Sequence, residues 1–169
     1  MKTCIFIVGD RSSGKSTIIK RLTKCNEEGV WDVQSKSSEP LTAFVLLSAI
    51  AERGLKKKKH YPYNFPSSLE EEKGVKREDY DMLICPFEIR TGLWKNKDCS
   101  IDKYIQKARD EDFEVKVAII EQSYGGNAHD LPQKLEKTKE MCIREGVTPL
   151  PLDANQDESR KIRENFYPR

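Results

Sequence analysis

Residues Gly9-Asp10-Arg11-Ser12-Ser13-Gly14-Lys15-Ser16 spell G-x-x-x-x-G-K-S, and what flanks them restricts the fold more than any other feature. Before them, Thr3 to Val8 is a short β-branched apolar run suited to a strand buried on both faces. After them, Ile18, Ile19 and Leu22 recur at helical spacing, with Lys20, Arg21 and Lys24 on the other side. Glycine at positions 9 and 14 lets the backbone turn so that successive N–H groups converge on an anion. The helix that opens there adds unpaired N–H groups and the positive end of its dipole. Lys15 can then reach β- and γ-phosphates, and the Ser16 hydroxyl is placed to ligate a bridging Mg²⁺.

The motif in this context resembles the Walker A loop of P-loop NTPases, and its wording is similar to that of dynamin-like GTPases. The resemblance covers eight residues and a few apolar neighbours. It implies an α/β fold: a single P-loop NTPase domain over 1–169, with a mostly parallel sheet of about five strands and helices on both faces. It also implies a nucleotide held by Gly9, Asp10, Arg11, Ser12, Ser13, Gly14, Lys15, Ser16 and Thr17, with Ser16 as metal ligand. Arg11 is expected to point outward from the loop.

The remaining pattern agrees with alternating strands and helices. Strands are predicted at 3–8, 81–87, 114–120 and 148–152, with a weaker one at 29–34. Ser100 can cap a helix carrying Ile101, Tyr104, Ile105 and Ala108 on one face. Asp130 and Gln133 have capping-box spacing ahead of Leu131, Leu135, Thr138 and Cys142, and Gly146 suits the stop. A last helix runs from about Asp157 to Phe166, anchored by Ile162 and Phe166.

Two segments stand apart. Pro40 to Arg53 is apolar almost all round and reads as a helix between Pro40 and Gly54. Such a helix belongs under the sheet or, through residues 41–51, in a homodimer interface. Residues 54–79 are polar and read as an insert or lid. They include Lys56 to Lys59 followed by Tyr61, Tyr63 and Phe65, which could hold single-stranded nucleic acid by charge and stacking. A solvated helix exit is the plainer and favoured reading of that run.

A carboxylate at the end of a neighbouring strand is expected to hold Mg²⁺ or orient water. Glu88 follows Met82 to Phe87, interrupted by Pro86; Glu121 follows Val117 to Ile120. Sequence order favours Glu88 for the metal, with Glu121 sensing the γ-phosphate, and Arg90 is a further candidate for phosphoryl charge. Asp81 precedes its strand and so falls at the wrong end. GTPases read guanine through N-K-x-D. Asn127-Ala128-His129-Asp130 lacks the lysine, so ATP is preferred, with GTP as the alternative. The activity read from this is Mg²⁺-dependent hydrolysis of the nucleotide. A small-molecule or nucleoside kinase, and a nucleotide-gated switch with little catalysis, are the rivals.

Composition excludes several classes. In 169 residues the net charge is +2, so no global field points to nucleic acid or membrane. Cys4, Cys25, Cys85, Cys99 and Cys142 are widely spaced without a C-x-x-C pair, which argues for reduced thiols, a cytoplasmic protein and no zinc site. No run approaches the length that crosses a bilayer, and no signal peptide is read at the start.

Overall fold

The computed structural model describes residues 1–11, 13–49, 62–89, 100–122 and 131–169. They form one α/β domain around a six-stranded sheet. In chain order the elements are β1 (Lys2–Gly9), α1 (Lys15–Thr23), β2 (Gly29–Val33), β3 (Leu41–Val45), α2 (Ser67–Lys73), β4 (Met82–Glu88), α3 (Ile101–Asp110), β5 (Phe113–Ile120), α4 (Leu131–Arg144), β6 (Leu150–Leu152) and α5 (Ser159–Phe166). The strand order is β2-β3-β4-β1-β5-β6. Every pairing is parallel except that of β2 with β3.

Side-chain alternation along β1 divides the interior in two. Cys4, Phe6 and Val8 pack with residues of α2, α3 and α4, whereas Ile5 and Ile7 pack with residues of α1 and α5. Helices leave the central strands on opposite faces, α1 from β1 on one and α3 and α4 around β5 on the other. In an open α/β sheet that reversal puts a crevice at the carboxyl edge.

The expected helix over Pro40–Arg53 is not formed in its described part: Leu41–Val45 is strand β3, antiparallel to β2. Leu41, Ala43 and Val45 face one half of the core, Phe44 and Leu46 the other. An apolar run without a polar face suits a strand covered on both sides as well as a buried helix. Here Thr42, Phe44 and Val45 favour the pleat, and Pro40 stands just before its first residue. These side chains are buried inside one chain, so Leu41 to Leu46 are not exposed as an apolar face, and residues 50 and 51 of the expected interface lie outside the described residues. Residues 50–61 lie outside the described residues, and with them Lys56 to Lys59.

The described part of the expected lid, from Pro62 onward, is anchored rather than loose. Phe65 and Leu69 are buried, and the Phe65 ring meets Phe6 and Tyr104. Glu70 accepts hydrogen bonds from the Tyr80 hydroxyl at 2.8 Å and from Arg77 at 2.7 and 3.0 Å, and the Arg77 guanidinium lies over the Phe113 ring. Burial, and then the Glu70 bond, push the Tyr80 phenol up.

Cys4, Cys25, Cys85 and Cys142 are buried free thiols. Burial holds the Cys4 thiol well above its ordinary value and raises Cys142 to about 12, so neither is a ready nucleophile. Among the described residues no helix is long and apolar enough to cross a membrane.

Asp81, at the amino end of β4, fastens β3: Thr42 donates to it through its N–H and its hydroxyl, both at 3.0 Å, and Arg169 lies 3.4 Å away. Partial burial opposes ionisation, but the Thr42 bonds and the Arg169 charge outweigh it and hold the carboxyl below its ordinary 3.8. A depressed folded-state value means stability that is present above 3.8 and lost as pH falls through the folded value. Asp81→Asn is therefore expected to destabilise at neutral pH, and the gap to wild type should close on acidification. Denaturant melts of both proteins across the acid range check this, and a gap independent of pH contradicts it.

Candidate phosphate site at the start of α1

The loop after β1 is shaped by two glycines for different reasons. A Cβ on Gly9 would stand 2.2 Å from Ser13 Oγ and 3.3 Å from Ile120 Cδ1, so any other residue requires the Ser13 side chain to move. Gly14 sits at φ 95°, ψ 20°, a left-handed backbone that side chains disfavour. Between them the Ser13 N–H donates to the Asp10 carbonyl at 3.1 Å, closing the turn.

Gly14 is also the residue before α1, and it has no side chain to cap the helix. The first helical bond is Ile18 N–H to the Gly14 carbonyl at 3.0 Å, and no acid lies in the first turn. Gly14 thus offers the opening turn no capping side chain, and no carboxylate lies in that turn, so the amino end of α1 keeps the positive dipole that suits an anion. The Lys15 ammonium folds over the same loop, donating to the Asp10 carbonyl at 2.7 Å and the Gly9 carbonyl at 3.4 Å. Phosphate oxygens arriving there would compete for it. Arg11 is exposed, in line with an outward orientation.

The Ser13 hydroxyl is buried against Gly9 without a hydrogen-bond partner.

Both candidate acids reach the carboxyl edge beside β1, but on opposite faces. Glu88 ends β4 in register with Gly9 and is 3% exposed. Leu83, Cys85, Phe87 and Ile89 pack with the α2–α4 layer, while Met82 and Ile84 pack with the α1 layer. Alternation therefore puts Glu88 on the face of α1, with Lys15 and Ser16. Glu121 follows β5 with the other parity. Its carboxylate accepts from Lys139 of α4 at 2.7 Å and is 40% exposed.

Pro86 does not interrupt β4, because its missing N–H faces the side where β3 has ended. Leu46 N–H donates to the Ile84 carbonyl at 3.0 Å, and Ile89 N–H donates to the Gly9 carbonyl at 2.9 Å. Residue 84 hence turns its polar groups to β3 and residue 89 turns toward β1, so position 86 faces β3. The β3 ladder stops there as Glu28 captures the Ser48 N–H, the next donor on that side, along with the Leu47 N–H. Its carboxylate accepts from Leu47 N–H at 2.6 Å and Ser48 N–H at 3.1 Å, and pairs with Lys73 at 3.0 Å. That capture is not legible in the sequence, where Glu28 is one more turn residue.

Oxygen donors in the Ser16 hydroxyl and the Glu88 carboxylate suit a hard divalent ion such as Mg²⁺, which takes few protein ligands and completes its shell with phosphate and water. Among the described residues no group of three or more His, Cys, Asp or Glu side chains is arranged to hold a metal by itself. Ser12, Arg90 and the Asn127–Asp130 stretch lie outside the described residues.

No family model matches the chain, and no curated protein matches it. Among solved structures it is similar to a probable GTP-binding protein, engB, with 17% identity over 96% of this chain and 95% of that one and a TM-score of 0.48. It is also similar to Aquifex aeolicus Era bound to GDP.AlF4-, with 20% identity over 100% of this chain and 58% of that one, TM-score 0.48. Both likenesses concern the path of the chain only.

Gly9→Ala is expected to destabilise the protein by about 1–3 kcal/mol, because the new methyl overlaps Ser13. Removing the obstructing side chain with Ser13→Gly should recover part of that loss. A thermal-melt double-mutant cycle measures the coupling, and additive losses would contradict the contact.

Proposed function

We propose that this chain is a Mg²⁺-dependent P-loop nucleoside triphosphate-binding protein that hydrolyses its nucleotide. The observation that carries the reading is the glycine-built start of α1, with left-handed Gly14 at the cap, no first-turn acid, and the Lys15 ammonium folded over the loop. In this reading the loop N–H groups from Gly9 to Thr17 cradle the phosphates and Lys15 turns from the Asp10 carbonyl to the β- and γ-oxygens. Ser16 and Glu88 hold the metal. Bound Mg²⁺ neutralises the charge that develops on the phosphoryl oxygens.

The buried carboxylate on the α1 face supports Glu88 over Glu121 for this role. Glu121 enters only as the partner of Lys139 on the other face. In this reading the loop residues receive the phosphate end of the ligand, and competition between ATP and GTP assigns its base. The buried thiols suit a reducing, cytoplasmic setting.

Calorimetric titration of ATP and GTP, each with and without Mg²⁺, tests the proposal. At least one nucleotide should bind more tightly with the ion, and Lys15→Ala should lose about a hundredfold in affinity or more while melting like wild type. Equal binding by the variant overturns the reading.

A second measurement separates the acids. Glu88→Gln should abolish the Mg²⁺-dependent gain in affinity and turnover, whereas Glu121→Gln should leave both within about twofold. Turnover of the isolated wild-type chain is expected well below the enzyme median of about 10 s⁻¹, since the sequence carries no clear water-activating motif. The reverse ranking of the two variants would exchange their roles.

A further inference from the structure

Tyr63 is 62% exposed, although the residues on either side of its turn, Pro62 and Phe65, are buried. Its ring borders a groove of about 280 Å³ over Pro62, whose far wall is the outer row of α3: Lys103, Gln106, Lys107 and Asp110. Ile143, 63% exposed, stands on α4 in the same helical layer. Of the four large apolar side chains exposed among the described residues, Tyr63 and Ile143 thus share one face of the sheet.

Most polar groups of α3 are paired within the chain. Asp102 accepts from the Ser100 hydroxyl, Gln106 donates to Glu145 at 2.6 Å, Lys107 lies 3.4 Å from Glu111, and Arg109 lies 3.6 Å from Glu145. Lys103 and Asp110 make no such pair among the described residues. They are seven residues apart, which is about two turns and roughly 10 Å along the axis, on nearly the same line of the helix.

We propose that this face binds a second copy of the chain, α3 against α3 in antiparallel register about a twofold axis near Gln106 and Lys107. A positive and a negative charge two turns apart are self-complementary when one helix is reversed. Lys103 then meets Asp110 of the partner subunit, and the symmetric pair forms at the other end. Lys107, which approaches the axis, has its charge already answered by Glu111. Each Tyr63 ring covers the partner's groove and supplies the apolar anchor that exposed ion pairs alone do not provide. A polyanion is a poorer occupant, because it would meet Asp110 and Glu111 as well as the lysines. The proposal is independent of the nucleotide reading.

Sedimentation equilibrium of the full chain over a wide concentration range tests it. Wild type is expected to dimerise reversibly, and Tyr63→Ala should raise the dissociation constant about tenfold. Lys103→Glu and Asp110→Lys should each raise it about tenfold or more, since either creates two like-charge contacts per dimer. Mixing those two variants should restore association. In the mixed dimer the introduced carboxylate faces the introduced ammonium at one end, and the unchanged Asp110 and Lys103 meet at the other. Circular dichroism melts establish that each variant is folded. A wild type monomeric at every concentration, a dimer indifferent to the single substitutions, or a mixture no tighter than its components overturns the proposal.

Discussion

Covering β1 on both faces leaves its exit as the one place where the chain can turn without burying unpaired backbone. Cys4 to Val8 are wholly buried between β4 and β5, so the loop must fold back directly over the strand's end. Gly9 permits that by touching Ser13, and Gly14 permits it by its left-handed backbone. The same geometry removes any side chain that could cap α1. An ordinary helix start gains about 1 kcal/mol from a capping side chain. This one has glycine at the cap position and a lysine overhead, the arrangement on which the proposed phosphate site rests.

The acid beside that loop is placed by interactions distant from it. Glu28 takes the Ser48 N–H, the next one able to extend β3 along β4, together with that of Leu47, and the ladder ends at Ile84. Only then is Pro86 tolerated next to a central strand, and only by continuing past Pro86 does β4 carry Glu88 to the level of Gly9. A turn carboxylate thus sets the length of one strand and, through it, the position of another carboxylate.

These dependencies explain what can be read in advance. The β1–loop–α1 unit is local, and its residues state it: periodicity changes from strand to helix across the glycines. The buried faces of α3 and α4 are equally plain, with Ile101, Tyr104, Ile105 and Ala108 on one and Leu131, Leu135, Thr138 and Cys142 on the other. β3 reads wrongly as helix because Leu41 to Leu47 is mostly apolar, and hydrophobic periodicity cannot separate two structures that are both covered on all sides. Pro86 reads as a break in β4 because its tolerance depends on a neighbour about forty residues away in the chain. The faces of Glu88 and Glu121 follow from pleat parity counted through the actual strands, and Pro86 conceals that count.

The loss of the 41–51 helix also changes where association can occur. An apolar segment in a sequence attracts the reading of an interface, yet in this fold the most apolar segments are the most deeply enclosed. Leu41, Ala43, Phe44, Val45 and Leu46 are each no more than 2% exposed. Among the described residues, the α3–α4 layer exposes an aromatic ring, Tyr63, beside surface charges, and the proposed contact draws on both. On α3, Lys107 and Arg109 meet acids of the same chain and Asp102 accepts from the Ser100 hydroxyl, so that among the described residues Lys103 and Asp110 remain, and the proposed specificity rests on their spacing. Such a surface is nearly silent in hydropathy, and it becomes legible only after every internal pair has been assigned.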